Sequence, residues 1–324
     1  MAETTYIDAI TQAMQEEMAR DERVFLIGED VGAYGGAFRT SAGLLDQFGP
    51  ERVIDTPISE IAIIGAASGA ALMGMRPIAE MQFLDFITCG YDILVNFAAM
   101  NSYLFGRACP MVVRGPAGGG THGGPYHSIN PEGMFLNRPG LKIVAPATAY
   151  DAKGLLKAAI RDDNPVLYIE HKYLYRRIKE NLPDEDYLVP IGKANIRRKG
   201  KDLTIVTWGA MLYIALEAAD DLAKDGVSAE IIDLRSIMPF DEDAILESVA
   251  KTNRVIILHE APLTGGAGAE FAARIAEKAF DYLDAPVKRI AALDVPTPYS
   301  PPLEAAALPD KARVLSAARE LLDY

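Results

Sequence analysis

A carboxylate, an amide and a histidine stand on segments suited to meeting a ligand. Glu60 closes the string Asp55-Thr56-Pro57-Ile58-Ser59-Glu60 and opens an Ala/Gly-rich helix. Gln82 lies in Glu80-Met81-Gln82-Phe83 on the next strand, and His127 follows a glycine-rich run from Gly115 to Gly124. Apolar residues, Ile61 to Ile64, come directly after Glu60, so its side chain is expected to face a buried interface. A carboxyl buried without a basic neighbour resists ionisation and can donate or share a proton. That is the chemistry needed to protonate or polarise a ring nitrogen of a heterocycle. The plainer reading is a carboxylate complementing the dipole at a helix start.

A buried Gln82 must satisfy both amide ends, through backbone or through a ligand. Phe83 and Phe86 are core or a platform for a flat ring. Glycine runs bind anions in some proteins and are merely flexible in others. His122 and His127 have no Cys or acidic cluster nearby in sequence to complete a metal site. A histidine on a loop is nevertheless placed for function, whereas His171 and His259 follow apparent strands and read as structural. Gly265-Gly266-Ala267-Gly268 lacks the full dinucleotide spacing, and there is no phosphate loop or serine elbow. Nor does any Gly-Asp-Gly lead to an Asn-Asn pair, the motif that holds a magnesium diphosphate. The chain reads as half of an active site.

Alternating elements must position these residues. Extended runs are expected at 24–28, 78–82, 111–114, 141–145 and 166–170, with helices between them, including 59–75 capped by Ser59 and 151–161. Gly65 and Gly69 in the first of these helices predict close approach of another backbone. Residues 181–200 are polar, with Pro183 and Pro190, and read as a linker. A second alternation follows, with strands at 203–207, 229–234 and 255–259. The expected fold is α/β in two domains, 1–180 and 201–324, each a mainly parallel sheet flanked by helices.

The net charge of −13 over 324 residues leaves no basic stripe for nucleic acid. With two cysteines, no disulfide framework is expected and a reducing compartment is the default. No export signal or membrane-spanning stretch is read, so the expected location is the cytoplasm.

Several motifs in order resemble one family over essentially the whole chain: Gly28-Glu29-Asp30-Val31-Gly32, Asp55 to Glu60, Glu80 to Phe83, Tyr126-His127-Ser128 and Asp151-Ala152-Lys153-Gly154-Leu155-Leu156. It is the beta subunit of the thiamin-diphosphate-dependent, decarboxylating first component of 2-oxo acid dehydrogenase complexes. The resemblance implies a pyrimidine-binding domain followed by a transketolase-type C-terminal domain. It places the missing diphosphate motif and its magnesium on an alpha partner, in an assembly of two alpha and two beta chains serving a lipoyl-bearing acyltransferase core. By resemblance, Glu60 hydrogen-bonds N1′ of the aminopyrimidine, and Ile58, Gln82 and Phe86 line the cofactor pocket. His127 serves acyl transfer to the lipoyl dithiolane. Met111, Ala159, Ile160, Asp162 and Asn164 match positions that hold a structural potassium ion, mostly through carbonyls. Family members commonly continue the His-Ser pair with Gln, where this chain has Ile129-Asn130. The enzymatic alternatives are an acetoin-cleaving complex or a split transketolase-like carboligase. The alternative of another class is a non-catalytic scaffold, which would not need Glu60, Gln82 and His127.

Overall fold

The computed structural model describes residues 3–324, which form two compact units. The first runs to Ala117 and resumes over Asn137–Ile191; the second comprises Gly118–Leu136 and Gly192–Tyr324. The segment carrying His127 therefore belongs to the second unit although it follows a strand of the first. The stretch read as a linker stays with the first unit up to Ile191.

In the first unit, six parallel strands are β1 (Val24–Glu29), β2 (Val53–Thr56), β3 (Arg76–Glu80), β4 (Val112–Ala117), β5 (Lys142–Val144) and β6 (Val166–His171). They lie side by side in the order β5-β6-β4-β3-β1-β2. β1, β4 and β6 are buried along their whole length, as expected of parallel strands covered on both faces. Helix α1 (Tyr6–Arg20) buries Ile7, Ile10, Met14 and Met18 at helical spacing, and Thr5 caps it by accepting from the Asp8 amide. Helix α2 (Glu60–Leu72) follows β2, and helix α3 (Ala149–Arg161) starts on a Thr148 cap.

Two local expectations are corrected here. The Ser59 hydroxyl donates back to the Pro57 carbonyl at 2.9 Å and does not cap α2. A Cβ on Gly65 would meet the Ile93 side chain at 3.3 Å, but one on Gly69 would meet nothing within 4 Å. Ala62, Ala66 and Gly69 lie on an exposed face, and among the described residues no backbone approaches Gly69.

The second unit has β7 (Asn195–Arg198), β8 (Leu203–Thr207), β9 (Ala229–Asp233), β10 (Val255–Pro262) and β11 (Lys288–Ala292), ordered β11-β10-β8-β9-β7. Only β7 runs antiparallel to its neighbour. Helices α4 (Met211–Lys224), α5 (Glu242–Thr252), α6 (Gly268–Lys278), α7 (Pro301–Ala307) and α8 (Lys311–Leu322) complete it. Among the described residues, no helix is long and apolar enough to cross a membrane.

Candidate active site

Parallel strands deliver their C-terminal ends to one edge of a sheet, where ligands of such folds bind. Glu29, Thr56 and Glu80 end β1, β2 and β3, and Glu29 and Glu80 are buried. Glu60 begins α2 immediately after β2 and is half-buried in this chain, not enclosed as its apolar successors led one to expect. The helix turn divides those successors: Ile63 and Ile64 enter the core, while Ile61 and Ala62 face outward.

Glu29 stands in one of the motifs that carry the resemblance but receives no role there. It accepts from the Ser59 amide at 3.3 Å, and the Glu60 carboxylate lies close enough for its charge to act on it. Burial first, then the charges of Glu60 and Asp30, push the Glu29 carboxyl above the usual range, against the pull of the Ser59 amide. Two carboxylates thus stand together at the mouth of one helix, and Glu29 is the one whose carboxyl is pushed up. Beside them the buried Thr56 hydroxyl, in register with Glu29, makes no hydrogen bond among the described residues. The signal that could have found Glu29 is an acidic residue ending an otherwise apolar run, Val24-Phe25-Leu26-Ile27-Gly28.

Gln82 sits two residues beyond β3, not within it, and donates to Asp30 Oδ2 at 3.0 Å. Asp30 adopts a left-handed conformation (φ 56°) at the start of a tight loop. That loop is pinned by the Gly32 amide donating to Asp55 at 2.6 Å, where a Cβ on Gly32 would collide with the carboxylate. Phe86 packs edge-on to Phe83 at 6.2 Å, and Phe83 edge-on to Phe38 at 5.4 Å. Ile58 is 82% exposed between β2 and α2, an apolar side chain presented outward next to the carboxylates. Carboxylates, an anchored amide, an unpaired hydroxyl and an apolar flank fit a flat nitrogen heterocycle better than an anionic ligand.

A buried charge network supports this edge. Arg114 on β4 bonds Glu170 through Nε and Nη2 and Glu80 through Nη1, while the Tyr175 hydroxyl donates to Glu170 at 2.5 Å. One guanidinium faces two carboxylates, so burial drives the Glu80 carboxyl upward despite the arginine. Glu80 also accepts from Thr40 at 3.3 Å, which ties the loop bearing Asp30 to the end of β3.

Met111 stands just before β4, Ala159 and Ile160 in the last turn of α3, and Asp162 and Asn164 between α3 and β6, at the opposite edge. The Met111 carbonyl accepts from Val166 and the Ala159 carbonyl from Asp162. Arg76 Nη1 donates to the Ile160 and Asp162 carbonyls at 3.0 and 2.9 Å, so a protein cation already lies at two of these oxygens. The Asp162 carboxylate pairs with Lys142 and accepts from the Asn164 amide. Among the described residues, no group of three His, Cys, Asp or Glu could hold a metal ion.

His127 lies in the second unit, half-buried on a loop closed by the Gly118 amide donating to the Ile129 carbonyl at 2.9 Å. Gly118, Gly120 and Gly124 have φ of 82°, 77° and 69°, so glycine is required there by conformation. Glu260 on β10 accepts from the Gly119 amide at 2.6 Å and from Asn130 Nδ2 at 3.1 Å. The departure at Asn130 is thereby absorbed into the base of the loop. Deeper in this unit Trp208 donates to Glu132 at 3.2 Å and stacks on His259. Burial, and secondarily Glu260, raises the Glu132 carboxyl to about 7, and burial holds His259 down at about 4. The structural reading of His259 fits that buried, stacked ring.

Residues 2–177 match the transketolase pyrimidine-binding domain and residues 192–314 the transketolase C-terminal domain. The chain is 51% identical to 2-oxoisovalerate dehydrogenase subunit beta of Bacillus subtilis over 327 residues, spanning 100% of both. It is 44% identical to the pyruvate dehydrogenase E1 component subunit beta of the same organism and 43% to that of Staphylococcus aureus, again over the full lengths. A solved split-gene transketolase, described as an inactive beta4 tetramer, superposes with a TM-score of 0.81 over 99% of each chain; at 23% identity it is similar in fold alone. With both domain types matched in order and full-length relatives of this kind, the chain belongs to the transketolase-like family of 2-oxo acid dehydrogenase beta subunits.

Proposed function

We propose that this chain, with an alpha subunit, oxidatively decarboxylates a branched-chain 2-oxo acid and passes the acyl group to a lipoyl-bearing acyltransferase core. The observation that carries this reading is the Glu29–Glu60 pair at the head of α2, inside the part matched to a pyrimidine-binding domain. The higher identity to the 2-oxoisovalerate relative, 51% against 44%, supports the branched-chain substrate. Thiamin diphosphate, when bound, supplies the electron sink for loss of carbon dioxide.

Each unit of this chain contributes its own residues. Glu60 holds a proton at the pyrimidine N1′, and beside it Glu29, its carboxyl pushed up by burial and by the charge of Glu60, supports the head of the helix through the Ser59 amide. Gln82, fixed by Asp30, orients the ring edge, while Ile58 and Phe86 exclude water from its faces. His127 holds or delivers the proton needed when the acyl group moves to the dithiolane. Magnesium and the diphosphate fall to the alpha subunit, in an assembly of two alpha and two beta chains. A potassium ion at Met111, Ala159, Ile160, Asp162 and Asn164 is structural in this reading. Each carbonyl there has a second lone pair beyond the bond it already accepts. The location is the cytoplasm, where Cys89 and Cys109 stay as free thiols.

An acetoin-cleaving complex, a carboligase and a scaffold are less well supported, since the full-length relatives quoted are dehydrogenase subunits. The test is reconstitution. The purified chain is expected to turn over neither 2-oxoisovalerate nor pyruvate, and addition of an alpha subunit to restore activity, greater on 2-oxoisovalerate. Turnover by the chain alone would overturn the shared-site reading.

A further inference from the structure

The loop that carries His127 is gripped from a second side, by a carboxylate on the short helix α7. Glu304 is 1% exposed. It accepts from the Gly120 amide at 2.9 Å, from the His122 amide at 3.3 Å and from His122 Nδ1 at 2.6 Å. His122 itself is exposed and adopts φ +60°, a conformation that costs a non-glycine residue free energy unless its surroundings impose it. The three bonds to one buried carboxylate are that imposition. Neighbouring contacts close the remaining freedom. A Cβ on Gly119 would meet the Leu308 side chain at 2.8 Å, and one on Gly124 would run into the Tyr299 ring. A Cβ on Gly123 would meet the His127 Cβ at 2.9 Å, so the gripped arm packs directly under the histidine. Glu260 holds the base of the loop and Glu304 its rising arm.

We propose that Glu304 is the positioning residue for His127, fixing the loop backbone through Gly120 and His122 without touching the reacting groups. The proposal rests on the reading above only in treating His127 as a working residue, whichever step it serves. A run of glycines that looks permissive in sequence is on this view a clamped platform, and its stiffness depends on α7.

The test uses the full chain reconstituted with its alpha subunit and four variants: Glu304→Ala, His127→Ala, their combination, and His122→Ala. Amide hydrogen exchange over residues 118–130 is followed alongside the rate of acyl transfer to a lipoyl domain. Losing bonds to a charged acceptor should speed exchange in Glu304→Ala by about tenfold or more and slow acyl transfer by about tenfold. The double variant should be no more than about twofold slower than His127→Ala, because residues acting as a unit are not additive. Unchanged exchange, or losses that multiply in the double variant, would overturn the proposal. Should His127→Ala prove silent, the reading of His127 falls, and Glu304→Ala must then be silent in rate while still loosening the loop. A slowed Glu304→Ala beside a silent His127→Ala would overturn the proposal instead. Should Glu304→Ala fail to fold, His122→Ala removes one of the three bonds from an exposed side chain. Exchange around residues 120–124 should then rise by roughly threefold. No change there would count equally against it.

Discussion

Replacing Glu132 with Gln should stabilise the second unit at alkaline pH and leave it nearly unchanged in acid. The Glu132 carboxyl is buried, opens a single helical turn over Glu132–Phe135, and is raised from 4.5 to about 7 by burial and, less, by Glu260. The sign follows from where the proton stays. Below pH ~4.5 the group is protonated both folded and unfolded and costs nothing. Between ~4.5 and ~7 the unfolded chain ionises while the folded one cannot, so stability falls as pH rises, and the loss is complete above ~7. At ~1.4 kcal/mol for each tenfold step in proton affinity, the span amounts to about 3 kcal/mol. Glutamine keeps an oxygen to accept from Trp208 and resembles the neutral acid in shape, so it should remove this penalty. His259 works in the opposite sense, losing stability as pH falls from ~6.5 towards ~4, so the informative quantity is the variant minus the wild type. Urea unfolding followed by the fluorescence of Trp208, the one tryptophan in the chain and the direct partner of Glu132, reports on this unit. The difference should grow from near zero at pH 4.5 to about 3 kcal/mol at pH 8. A difference independent of pH, or one favouring the wild type at pH 8, would refute the placement of a neutral carboxyl beside Trp208.

Arg114→Leu should destabilise the first unit by roughly 3–5 kcal/mol, because Glu80 and Glu170 are left buried without their cation. Denaturant titration checks this, and a loss below ~1 kcal/mol would mean that the carboxylates find other partners. His127→Ala should slow acyl transfer to a lipoyl domain about a hundredfold or more while sparing decarboxylation read with an artificial electron acceptor. Equal loss in both assays would place His127 earlier in the reaction.

Strands rich in apolar and β-branched residues, such as Val24 to Gly28 and Leu203 to Thr207, were legible because burial on both faces favours that composition. β2 was not: its four residues include exposed Asp55, and an edge strand needs no apolar run. Lys288–Ala292 and Asn195–Arg198, at the two edges of the second sheet, escaped for the same reason. At the site, Glu60, Gln82 and His127 stood out by motif, whereas Glu29 acquires its meaning from a contact made across strands. The loop before His127 could be read as an anion binder or as merely flexible, because nothing in a glycine run announces that Glu260 and Glu304, more than a hundred residues later, will hold its amides. Long-range pairing of this kind is written in the fold and not in local spacing.

Glu60→Gln tests the central claim most directly, since it preserves size and hydrogen bonding but removes the exchangeable acid. The substitution adds no buried charge, so folding and assembly with the alpha subunit should survive. The measurement is hydrogen–deuterium exchange at the thiazolium C2 of thiamin diphosphate in the reconstituted enzyme. Positioned proton transfer contributes roughly a hundred- to ten-thousand-fold in rate, and exchange should slow by about that factor, with cofactor affinity changing less. Exchange at the wild-type rate in Glu60→Gln would reduce Glu60 to a helix-start carboxylate and contradict the account.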